Sequence, residues 1–173
     1  AVSVVPETGG EGAVFDVVLQ AGQVSDIPLG ELAAGDYTVR IDGDGEFVAA
    51  ARTATRVAGD ELPSDFAWFP ASLPLLDETL VAVPQGPGAK LHLANPSDAD
   101  VEASLVAEGG EEAITVPAGA AVSTAMPASG GRVLITGGAG LQASVSFSGE
   151  RQLAAFAVQP PGPLDSPILI YPR

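Results

Sequence analysis

Ser144-Val145-Ser146-Phe147-Ser148 decides the fold class, because its two large apolar side chains fall on one side of the chain and its serines on the other. A period of two is what a half-buried strand requires, whereas a helix needs apolar residues three and four apart. The same alternation runs through Tyr37, Val39 and Ile41 against Thr38, Arg40 and Asp42, and through Leu91 and Leu93 against Lys90 and His92. Gly, Asn-Pro, Asp-Gly and Pro-Ala-Gly separate these runs, residues that turn a chain and stop regular structure. The best helical stretch, Ala49 to Ala58, carries Thr53, Thr55 and Val57 without a helical stripe, so it also reads as strand. The expectation is an all-β protein.

Composition agrees. With 21 Gly and 15 Pro in 173 residues, turns are frequent, and an aromatic content of 5% leaves the core to Ala, Val, Leu and Ile. Against 22 acidic residues stand 7 basic ones, a net charge of −15 with Lys90 the sole lysine. A nucleic-acid partner demands a basic surface that displaces counterions from phosphates, so nucleic acid is excluded as a partner class, and anionic membrane surfaces with it. The acidity itself is read as solubility. Without cysteine there is no disulfide, thiolate nucleophile or cysteine metal site. No apolar run reaches the roughly 18–20 residues of a membrane span, so direct insertion of this chain is not expected. Because the chain opens at Ala1 within a strand-like stretch, it is expected to be a mature or trimmed part of something longer.

The chain also repeats itself. Ala21-Gly22 within A-V-F-D-V-V-L-Q-A-G-Q-V matches Ala118-Gly119 within E-A-I-T-V-P-A-G-A-A-V, an offset of 97. Val39 to Gly43 matches Val133 to Gly137 at an offset of 94, and Phe47, Ala49 and Ala51 continue it over Leu141, Ala143 and Val145. Leu76 to Pro84 matches Leu164 to Pro172 at an offset of 88, with Phe66-Ala67 and Phe156-Ala157 before each. Three blocks in one order, with drifting offsets, are the mark of a duplication in which loop lengths changed, and a period near 90 suits one small sandwich better than a solenoid repeat. The expected architecture is two tandem antiparallel β-sandwich units of immunoglobulin-like type: residues 1–75, completed by a C-terminal strand at 164–172, and residues 76–163. The Pro-rich stretch near 59–75 would join them. A single fused sandwich with pseudo-twofold symmetry is the alternative.

Leu32-Ala33-Ala34-Gly35-Asp36-Tyr37-Thr38-Val39 resembles the tyrosine corner of immunoglobulin-like and fibronectin-like sandwiches. The resemblance implies that the first Tyr of a strand bonds its hydroxyl back to upstream backbone. Over its length the chain resembles an uncharacterised family of actinobacterial envelope proteins, a domain of unknown function. The segments that carry the resemblance are F-A-W-F-P (Phe66 to Pro70), L-H-L-A-N-P (Leu91 to Pro96) and P-I-L-I-Y-P (Pro167 to Pro172). It implies export and a place near the cell wall, and it supplies no catalytic residue.

Candidate sites are few. His92 is the only histidine, so any Ser-His-acid arrangement must use it, yet its alternation with Leu91 and Leu93 points it at solvent. No catalytic residue is expected, and no cofactor. Asp42, Asp44 and Glu46 offer carboxylates at alternate positions, an oxygen cluster of the kind calcium takes, but Asp-Gly turns need no ion. Gly137-Gly138-Ala139-Gly140 reads as a hairpin turn. Phe66, Trp68 and Phe69 form an aromatic cluster that could stack on sugar rings; the preferred reading buries them between the two units. The functional expectation is a non-catalytic structural or interaction module of the cell envelope or extracellular space, contacting protein or cell-wall glycan surfaces, with carbohydrate binding through the aromatics as the alternative. It carries two corollaries: no buried polar cluster and no ligand-sized cleft lined by perturbed ionisable groups.

Overall fold

A computed structural model describes residues 1–7, 12–30, 32–56, 59 and 63–161. It is all-β, with several antiparallel sheets and no helix among the described residues. The expected strand at 164–172 lies outside them.

The larger core is in the C-terminal half. Here β6 (Glu78–Val83), β8 (Val101–Ala107), β9 (Gly110–Val116) and β11 (Gly131–Thr136) form one sheet in the order β6-β11-β8-β9. The second sheet is β10-β7-β12-β13, built from β7 (Lys90–Ala94), β10 (Ala121–Ala125), β12 (Gln142–Gly149) and β13 (Gln152–Ala157). Alternation places Val81 and Val83 inside and Glu78, Leu80 and Ala82 outside, and on the facing sheet it buries Leu91, Leu93, Ala143, Val145 and Phe147. The largest fully buried side chains are leucines, valines and one isoleucine, each worth about 1.5–3 kcal/mol when removed from water. The immunoglobulin arrangement puts a first strand beside the second; in this sheet β6 pairs β11, and β12 takes the place beside β7.

The N-terminal half holds two smaller sheets. β1 (Val2–Pro6) lies between β2 (Ala13–Phe15) and β3 (Tyr37–Ile41), and β4 (Ala50–Thr55) pairs with β5 (Asp65–Pro70). Residues 59–75, expected as a joining stretch, therefore contain a strand. The chain beyond β5 is laced to β12: Leu75 N donates to Leu141 O (2.7 Å), Ser72 Oγ to Ala143 O (3.1 Å) and Gln142 Nε2 to Ser72 O (3.0 Å).

The two halves repeat one pattern of pairing. In β2-β1-β3, Val2 stands between Phe15 and Ile41; in β9-β8-β11, Leu105 stands between Glu112 and Ile135. Those neighbours are related by the offsets of 97 and 94 read from the sequence, although the two offsets come from separate blocks. The glycine turns agree as well. Gln23 N donates to Gln20 O around Gly22 (φ 73°), and Ala120 N donates to Pro117 O around Gly119 (φ 67°). The β4–β5 pair matches β12–β13: Ala51 faces Phe69 as Val145 faces Phe156, and Ala71 N bonds Ala49 O as Val158 N bonds Ala143 O. The counterpart of Phe156 in the ladder is thus Phe69, not Phe66. A shift of three residues turns a side chain to the other face, and Phe66 is exposed whereas Phe156 packs on the core.

Two glycine-rich turns differ from expectation. Gly137 to Gly140 does not close a hairpin, because β11 and β12 belong to different sheets. It carries the chain between layers, and Gly137 (φ +70°) runs so close to β8 that a Cβ there would lie 2.9 Å from Glu102 O. Asp42 to Glu46 likewise leads from β3 to β4, strands of separate sheets.

Candidate functional sites

The tyrosine corner is formed. Tyr37 opens β3 and its hydroxyl donates to Ala33 O at 2.9 Å, while Gly35 lies under the ring. The L-H-L-A-N-P segment owes its Asn to the turn after β7. Asn95 is 3% exposed, its Nδ2 donates to Ala99 O (2.7 Å) and Val116 O (2.9 Å), and its Oδ1 accepts from Ser97 N and Oγ. Every polar capacity of that buried amide is used.

The aromatic cluster is not buried between units. Phe66 is 50% and Trp68 51% exposed, because residues 66, 68 and 70 share the outer face of β5 while Ala67 and Phe69 point the other way. The ladder sets Arg52 directly opposite Trp68, and its guanidinium carbon lies 4.9 Å from the Phe66 ring centroid and 6.0 Å from that of Trp68. Ala50 and Ala54 flank Arg52, so the face is a small apolar plateau with one cation on it. Such a cation–π contact contributes about 0.5–1 kcal/mol at an exposed site. Phe69 is not part of this surface.

His92 departs from expectation too. It does point away from Leu91 and Leu93, but its side chain is only 17% exposed, since the end of β1 covers that face. Its Nδ1 lies 3.0 Å from Glu7 Oε1 and its Nε2 2.8 Å from Ser146 Oγ. The Glu7 side chain is 3% exposed, and its second oxygen, Oε2, has no hydrogen-bond partner among the described residues. Beside this row Lys90 pairs with Asp36. A polar, largely buried cluster therefore exists, contrary to the corollary drawn from the sequence.

Three groups in the order Ser, His, Glu invite comparison with a nucleophile, base and orienting acid, a chemistry that also needs backbone donors for an oxyanion. Ser146 sits inside β12, which pairs with β7 on one side and with β13 on the other, so the N–H groups around its Oγ are engaged in ladders. What the cluster does geometrically is join halves: Glu7 and Asp36 come from the N-terminal sheet, and His92, Lys90 and Ser146 from the C-terminal one.

Asp42, Asp44 and Glu46 do not assemble a metal site. Asp42 Oδ2 takes Arg40 Nε at 3.1 Å, and among the described residues no three His, Asp or Glu side chains are grouped as a metal ion needs. A cleft of about 310 Å³ opens between the β6–β7 turn and β13, lined by Pro84, Gln85, Gly86, Pro87, Phe147 and residues 152–156, none of them ionisable. Among the described residues the one carboxyl clearly moved from its ordinary value is Asp65, at the start of β5. The N–H of Leu153 and then that of Phe66, each 2.8 Å from one of its oxygens, lower its pKa, with partial burial opposing. These donors occupy matching places in the two hairpins.

No curated protein and no solved structure matches the chain. A family model does, over residues 2–127, a span that holds β1 to β10 and with them the aromatic face, Glu7 and His92, but not Ser146. The chain belongs to the family of unknown function DUF5719.

Proposed function

We propose that this protein is a non-catalytic interaction module of the cell envelope or extracellular space, grown from a duplicated sandwich unit, that meets its partner through the outer face of β4 and β5. The observation that carries the reading is the pair of half-exposed rings, Phe66 and Trp68, held side by side on a strand with Arg52 across from them. Large rings left in water on a rigid pleat lose little conformational freedom on binding, which is why aromatics dominate binding surfaces. The matching rungs and turns support the duplication, and the tyrosine corner supports kinship with immunoglobulin-like sandwiches. Extracellular placement is the part carried by sequence resemblance.

Carbohydrate binding is the second reading, favoured by the same rings: a pyranose can stack on Trp68 while Arg52 donates to its hydroxyls. A pull-down on cell-wall material, paired with a glycan array, tests both. Retention that is lost in Trp68→Ala supports the module, and array signals lost with it support the sugar reading. Retention untouched by Trp68→Ala removes this face from the function. Detection of the tagged full-length protein in the cytoplasmic fraction alone would overturn the envelope assignment.

A further inference from the structure

The geometry points to the free edge of β4 as a docking site for an extended segment of a partner protein, which would enter antiparallel as an added strand; this rests on the reading of the protein as an interaction module. In the C-terminal half, β12 is an inner strand, covered by β13 on one side and by β7 on the other. Its counterpart β4 is covered by β5, and among the described residues no strand pairs its other edge. The direction of the exposed groups follows from the ladder. Ala71 N bonds Ala49 O, and Pro70, which has no N–H to give, stands opposite Ala50. Bonded and non-bonded pairs alternate in an antiparallel ladder, so Ala50, Arg52 and Ala54 turn their N–H and C=O groups away from β5. The corresponding Ser144 and Ser146 turn theirs to β7, where they pair with His92 and Lys90.

Burial records the missing strand. Ala143 and Val145 are 2% and 0% exposed beneath Leu93 and Leu91 of β7, whereas the matching Ala49 and Ala51 remain half-buried. The edge itself has six residues without Pro or Lys, so the devices that keep free edges from pairing are absent apart from Arg52. The molecule's own β7 supplies the template for the occupant. Apolar residues two apart would lie against Ala51 and Ala49, as Leu91 and Leu93 do on β12. The residue opposite Arg52, in the place of Lys90, would be acidic, since opposite charges across a pair attract. Main-chain bonds would supply affinity and the two apolar side chains the selectivity.

The test uses the whole chain, amide-resolved NMR and two peptides, one copying residues 89–95 and one with the Lys90→Asp change. In the free chain the amides of Ala50, Arg52 and Ala54 should exchange fast with solvent, unlike those of Ser144 and Ser146. Added peptide should shift and protect those three, and the Lys90→Asp form should bind roughly two- to fivefold more tightly. Ala54→Pro should fold, as proline does on an edge whose N–H faces water, and should no longer respond to peptide. Protection of the three amides in the free chain, failure of Ala54→Pro to fold, or shifts confined to Phe66 and Trp68 would each overturn the assignment. A Trp68→Ala chain that still takes peptide on β4 but is not retained on cell-wall material sustains both the edge site and the aromatic face. One that takes peptide and is retained as before sustains the edge site alone and removes the aromatic face; one that no longer takes peptide on β4 overturns the edge site.

Discussion

At the scale of single residues, hydrogen bonds of a few side chains hold the turns that strand ladders leave open. Tyr37 ties the entry of β3 to Ala33, a bond on the surface whose removal exposes its acceptor to water. Tyr37→Phe should therefore cost about 1 kcal/mol, read from urea midpoints at an unchanged slope. Asp65 makes stability depend on acid. Its folded pKa lies below its ordinary value of 3.8, so the carboxylate contributes stability that is fully present above the unfolded pKa and is lost as pH falls through the lower folded one. Below pH 3.8 the melting temperature of the native chain should fall more steeply than that of Asp65→Asn, and superimposable acid limbs would remove Asp65 from that role. The sequence grouped Phe66, Trp68 and Phe69 as one cluster, and the strand they form divides them between two faces. Phe69 and Trp68 differ in fate because Ala67 and Phe69 face inward, a choice made by neighbouring strands.

At the scale of elements, two glycines with similar dihedral angles carry different burdens. A Cβ added at Gly119 (φ +67°) would meet no atom within 4 Å, whereas one at Gly130 (φ +74°) would lie 2.5 Å from Val83 O and 2.8 Å from Gln85 N. The first needs glycine for backbone conformation alone; the second also lets the β10–β11 turn close on the end of β6. Gly119→Ala should cost about 1 kcal/mol and Gly130→Ala about 3 kcal/mol, compared by chemical denaturation. Equal costs would mean that the β6 end yields freely. Strands such as β3, β7 and β12 were legible in the sequence because period-two alternation is a local property, whereas β5 lies in a stretch read as a joining segment. Whether a turn closes a hairpin or changes sheets was not, and Gly137 to Gly140 shows why: the same glycines serve either path, and the destination is set by which sheet buries the next strand.

At the scale of the whole molecule, the halves meet where β5 lies along β13 and through polar side chains at the end of β1. Val2 and Val4 are buried in the N-terminal sheet, yet neither belongs to the main hydrophobic cluster. Across the junction run Glu7–His92–Ser146 and Lys90–Asp36, and the latter, exposed by about a third or more on both sides, adds little. His92→Ala removes the hydrogen-bond partner that the buried Glu7 carboxyl has among the described residues and should destabilise the chain by about 2 kcal/mol, with faster amide exchange in β1 and β3. Unchanged protection of those strands would show that the junction is held elsewhere.

The sequence by itself determined the all-β class, the positions of strands such as β3, β7 and β12, the tyrosine corner and the two offsets that the rungs of β2-β1-β3 and β9-β8-β11 share. These follow from alternation, turn chemistry and similarity along the chain, which are properties of neighbours in sequence. Only tertiary structure decided that Trp68 stays in water and that His92 does not, because each outcome depends on which distant strand arrives over a face. Glu7 lies 85 positions from His92, and no local pattern announces that contact.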